Sequence, residues 1–199
     1  MFKKTLLSAT ALILMVPAAA FAQSTGTVTI NGHVDSKCLV VGSGGATSNT
    51  FSQTKDLGAL DQTNGTLKDA GTLSASFGTV GAQVVCNSAS PTITVQASPL
   101  VASAAGTPTQ LTNGYANTVD YTAHVSVTTV TGTAGPFNAG SNPGTPVGPS
   151  AVGAQLANTG TNNVFVTADS WVSRASSPST ALLVADTYQG TITFTISPA

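Results

Sequence analysis

Residues 119–127 read VDYTAHVSV. Val119, Tyr121, Ala123, Val125 and Val127 alternate with Asp120, Thr122, His124 and Ser126. Successive side chains of a strand point to opposite faces, so this row predicts a strand with one apolar and one polar face. The same period recurs outward from it. Ala82, Val84 and Cys86 share one parity, and Ile93, Val95 and Ala97 alternate with Thr92, Thr94 and Gln96. Tyr188, Gly190, Ile192, Phe194 and Ile196 alternate with Gln189, Thr191, Thr193 and Thr195. Leu73, Ala75 and Phe77 alternate with Ser74 and Ser76, a further predicted strand. β-Branched residues fill many of these positions. No stretch carries a clear helical period, and residues 150–157 allow only one short turn.

Loops rich in Gly, Ser, Asn and Thr separate the strands at 42–54 and 61–71. Residues 131–163 hold Pro136, Pro143, Pro146 and Pro149 among seven glycines and read as a long surface loop. The remainder, 164–199, is too short to build a core of its own, so one domain is expected. Short strands with frequent turn signals predict an all-β chain folded as a β-sandwich.

The first residues belong to a different class. Met1-Phe2-Lys3-Lys4 is a short basic start, an apolar run follows to Pro17, and Ala20-Phe21-Ala22 fits a small-residue cleavage site. Residues 1–22 read as a secretory signal peptide, with export as the consequence. From Gln23 onward the chain keeps four basic residues (Lys37, Lys55, Lys68, Arg174) and seven Asp, for a net side-chain charge of −3. No basic patch is present for a phosphate backbone, so nucleic acid is not an expected partner.

Cys38 and Cys86 are the only cysteines. An even count in an exported chain predicts a disulfide. No Cys-x-x-Cys or histidine cluster points to a metal, and no cofactor is expected. His33 shares its face with Thr29, Asn31 and Asp35, and His124 lies on the polar face of its strand; both read as solvated. No G-x-S-x-G elbow sharpens a nucleophile, so no catalytic residue is assigned and the chain does not read as an enzyme. Asp56, Asp61 and Asp69 sit in or beside loops, where aspartates cap turns. Trp171 reads as core or sheet surface, with the lining of a sugar-binding site as the less expected alternative, because no polar anchors flank it.

Residues 27–38 read TVTINGHVDSKC. Val28, Ile30, Gly32 and Val34 form an apolar row broken by one glycine. By pattern alone this is either a strand offered to another molecule or the ordinary first strand of a complete sandwich with a glycine bulge.

Taken together, "GTVTINGHVDSKC", "DLGAL" and "CNSASPTITVQA", with the long alternating C-terminal stretch, resemble the subunits of chaperone–usher fimbriae, the pilins. "SFGTVGAQVVCNSASPTITV" is also similar to the spore-coat-U-type secreted pilus proteins. The likeness covers most of the chain after residue 22, with 131–163 outside it. It implies an immunoglobulin-like sandwich over 38–199 that lacks its last strand and is completed by a donated one. It further implies an N-terminal extension over 23–37 whose donor strand carries Val28, Ile30, Gly32 and Val34. Ile192, Phe194 and Ile196 would face the groove and the chaperone. The implied partners are neighbouring pilus subunits, a periplasmic chaperone and an outer-membrane usher. The implied location is a fimbrium, reached by export through the periplasm to the cell surface, with a role in adhesion. The family's C-terminal strand usually ends near an aromatic, whereas this sequence ends Phe194-Thr195-Ile196-Ser197-Pro198-Ala199. The competing expectation is a secreted, monomeric β-sandwich module that binds carbohydrate or a surface.

Overall fold

The computed structural model describes residues 27–104, 111 and 113–199. The expected signal peptide and the first residues of the extension, 23–26, lie outside the described residues. The chain divides into two units, Met1–Val34 and Asp35–Ala199. In the first, residues 27–34 carry no regular secondary structure and are exposed.

The second unit holds one α-helix and thirteen strands among its described residues. In chain order these are β1 (Cys38–Val41), β2 (Thr47–Ser48), α1 (Ala70–Phe77), β3 (Val80–Cys86), β4 (Thr92–Ala97), β5 (Leu100–Ala102), β6 (Tyr115–Ala116), β7 (Thr118–Thr129), β8 (Gly132–Gly140), β9 (Val147–Ala151), β10 (Val164–Ser173), β11 (Leu182–Leu183), β12 (Tyr188–Gln189) and β13 (Ile192–Ser197). The large sheet runs β12-β5-β7-β10-β3-β1-β2, with β8 also paired to β7. A smaller sheet runs β13-β4-β9, and β6 pairs with β11 alone. The fold is all-β and sandwich-like, as the strand patterns predict.

The apolar rows read from the sequence make the core. Ile93, Val95 and Ala97 of β4 join one buried cluster with Tyr121, Ala123, Val125 and Val127 of β7, Val164 and Val166 of β10, and Val84 of β3. The inner faces of the two sheets thus close on each other, as in other sandwiches. Cys38 and Cys86 are bonded, and they stand opposite each other in the β1–β3 register.

Four expectations are corrected. The predicted strand over 73–77 is the C-terminal half of α1. Leu73 and Phe77 are buried while Ala75 is exposed, which is the four-residue period of a helix. Asp69 caps its start by accepting from the Thr72 amide, and Gly78 ends it at φ 62°, a left-handed value that favours glycine. Leu73 and Phe77 satisfy both periods, and the sequence alone could not separate them.

The expected surface loop at 131–163 contains β8, paired along β7, and β9, paired with β4. Its prolines do not forbid this, because Pro136 and Pro149 stand in strands with one paired neighbour each, where a missing N–H costs little. No turn of helix forms at 150–157: Ala151 ends β9 and Leu156 bridges to Thr129.

The single strand read over 188–196 is two strands in different sheets. β12 pairs with β5 of the large sheet, and β13 pairs with β4 of the small one. The crossing lies at Gly190, where a β-carbon would stand 2.7 Å from the Pro99 carbonyl oxygen. The chain β4–Ser98–Pro99–β5 makes the same crossing alongside, so a bent antiparallel pair joins the two sheets at one corner.

Candidate strand-binding groove

At the opposite side of β13 the sandwich is open. β13 has β4 on one edge, and among the described residues no strand lies on the other. β1 is similarly under-covered: β3 pairs all four of its residues, but β2 reaches only Val40 and Val41. Between these edges runs a groove of about 1030 Å³, lined on one side by Cys38, Leu39 and Val40 and on the other by Ile192, Phe194 and Ile196.

The floor is aromatic. Trp171 stacks on Tyr121 with ring centroids 4.8 Å apart and meets Phe77 at 6.3 Å. Its indole N–H donates to Ser74 Oγ at 3.1 Å, which fixes the ring against α1. Tyr121 donates its hydroxyl to the Thr191 carbonyl at 3.1 Å, at the head of β13. Burial pushes the Tyr121 phenol well up, so it stays a neutral donor. The rings are set from β7, β10 and α1, so the groove is shaped by the core itself.

The alternation along β13 sets its wall. Ile192, Phe194 and Ile196 are half-buried and face the groove, while Thr193 and Thr195 are exposed. This places the three residues named from the family resemblance together on one face. The N-terminal row is placed differently: Val28, Ile30 and Val34 are 86%, 91% and 78% exposed, and nothing lies within 4 Å of a β-carbon at Gly32.

Sequence reading missed Phe51. It lies in a Gly/Ser/Asn/Thr-rich loop, yet its ring packs 6.1 Å from that of Phe194. The available signal was a large aromatic isolated in a polar loop, with Leu57 six residues on. Tyr121, on the apolar row of its strand, and Trp171, expected in the core or on a sheet surface, both lie in the core and also floor the groove.

The other candidates do not assemble into a chemical site. Among the described residues no three His, Cys, Asp or Glu side chains are grouped to hold a metal. Asp56 accepts from the Gly58 amide and Asp69 caps α1, the turn-capping roles expected of loop aspartates. A second cavity of about 530 Å³ is bordered by Asp56, Asp61 and Asp186, but Asp186 is engaged by the amides of Ala104 and Thr187. His33 is exposed. His124 is half-buried between Asn138 Oδ1, 2.7 Å from Nδ1, and Asp169 Oδ1, 2.9 Å from Nε2. Among the described residues that nitrogen makes no hydrogen bond of good geometry, and its contact with the carboxylate is an ion pair.

No family model, curated protein or solved structure matches the chain.

Proposed function

We propose that this chain is a structural subunit of a surface fibre of the fimbrial kind, assembled by donation of a strand from one copy to the next. The observation that carries the reading is the pairing of two incomplete parts in one sequence. One is a groove with an aromatic floor, bordered by the edge of β13, which is proline-free and unpaired among the described residues. The other is the exposed apolar row of Val28, Ile30 and Val34.

A long alternating edge without proline or charge is what soluble proteins avoid, because it templates pairing with another chain. Here β8 and β9 carry Pro136 and Pro149, whereas β13 reads ITFTIS. Strand addition satisfies its main-chain groups and fixes register through side-chain pockets. The dimensions agree: eight residues, 27–34, span roughly 26 Å, and the six of β13 roughly 20 Å. Val28, Ile30 and Val34 would each gain about 1.5–3 kcal/mol on full burial. Gly32 would leave room for a bulky wall residue and so would key the register.

The resemblance to chaperone–usher fimbrial subunits supplies the rest of the proposal. A periplasmic chaperone would fill the groove first, and an outer-membrane usher would host the exchange. The secreted monomeric module is less well supported. Trp171, its best sugar-stacking candidate, is 6% exposed and already stacked on Tyr121.

The test is the assembly state of the chain from Gln23 against the same chain lacking residues 23–34. The longer chain should form heat-dissociable ladders on unboiled gels, and the shorter should remain a folded single species. Equal polymerisation of both would sink the donor-strand reading.

A further inference from the structure

We infer that residues 49–57 form a strap whose Phe51 holds the groove in place of a strand, so that strand uptake requires the strap to leave. The inference rests on the strand-uptake reading and adds its gate. The segment has no regular secondary structure and lines the groove throughout. Only Phe51 and Leu57 of it are half-buried; the residues between them are exposed.

The hold is made by side chains alone. Phe51 packs against Phe194 on the groove face of β13, where an incoming apolar residue would have to sit. The hydrogen bonds found along the segment are local: Ser48 Oγ donates to the Thr50 carbonyl, and the Gly58 amide donates to Asp56. Among the described residues none joins its backbone to β13, so leaving breaks no ladder. The ends are tied. Ser48 pairs with Val40 of β1, and beyond Leu57 the Lys68 amide donates to Leu60 and its ammonium to Ala59. A segment fixed at both ends, and held between them by the Phe51 ring near its start and Leu57 at its close, can swing its Phe51 end aside without unfolding the sandwich. An entering strand replaces that ring contact and adds main-chain bonds that the strap never made.

The probe is a fluorescent synthetic peptide of residues 25–36, added to the chain from Gln23 carrying Ile30→Asp, which blocks self-donation. Phe51→Ser in that background should raise the peptide's association rate about tenfold, the scale of losing one aromatic pair. Chymotrypsin provides a second readout with Phe51 intact, should the variant fail to fold. Cleavage after Phe51 should accelerate once the peptide fills the groove, because the ring must leave it. Binding at equal rates to both variants, with cleavage after Phe51 unchanged, would overturn the strap. Absence of peptide binding to either would overturn the strand-uptake reading itself.

Discussion

His124 sits on the outer face of β7 with an acceptor at each ring nitrogen, an arrangement that favours the doubly protonated imidazole. Burial alone draws its pKa down, but Asp169 and Asn138 outweigh it and leave the value raised. Asp169 is correspondingly held low, chiefly by its close contact with His124. The sign follows from which form the fold prefers. The histidine's contribution is complete below its ordinary value of 6.5 and is lost as pH rises through the raised one. The carboxylate's contribution is present above 3.8 and is lost as pH falls through the lowered value. Asp169 is 53% exposed, so solvent screening holds the pair to less than about 1 kcal/mol. Melting temperatures at about pH 5.5 and about pH 8.5 should show a small acid-side gain that His124→Gln removes. An unchanged pH response in that variant would contradict the assignment. Phe194 makes a larger prediction: alanine there should cost less than the roughly 3–5 kcal/mol of a fully buried ring, because Phe194 is only half-buried. Urea unfolding measures it, and a loss near zero would place the ring outside the groove wall.

At the scale of elements, the long alternating rows were legible and the corners were not. β4, and β7 from Tyr121 onward, follow directly from their sequence because each buries one parity against the other sheet, whereas at the head of β7 Thr118 and Asp120 are buried as well. The run 188–196 keeps perfect alternation through a change of sheet, since parity carries no information about which neighbour a strand takes. Gly190 was the clue, as a residue that lets backbones approach closely. Gly190→Val should destabilise by about 1–3 kcal/mol through the clash with the Pro99 carbonyl, and thermal unfolding checks it. β8 and β9 were hidden because glycine and proline signal loops, although edge strands tolerate both. The groove was half legible. The row of Ile192, Phe194 and Ile196 could be read, whereas Phe51 gains its place only when the chain brings it back to β13. No local pattern encodes that return.

For the whole molecule, the disulfide and the open edge belong to one account. β1 forms a groove wall, yet at Cys38 and Leu39 it is paired on one side only. The bond to Cys86 pins it to β3, and the 48-residue separation gives a loop-closure contribution of about 4 kcal/mol. Cys38→Ser should therefore lower yield and stability by about 2–5 kcal/mol and loosen the groove first. Amide exchange should detect that as early opening of β1, whereas uniform loosening of both sheets would argue against its special place.

The central claim is that β13 receives residues 27–34 of a second copy. The most direct measurement is amide hydrogen exchange on the chain lacking residues 23–34, with and without a synthetic peptide of residues 25–36. Strand addition predicts slowed exchange along Ile192–Ser197, no change along β9, and no effect from the same peptide carrying Ile30→Asp. Protection that spares Ile192–Ser197, or that appears equally with the Ile30→Asp peptide, would contradict the account.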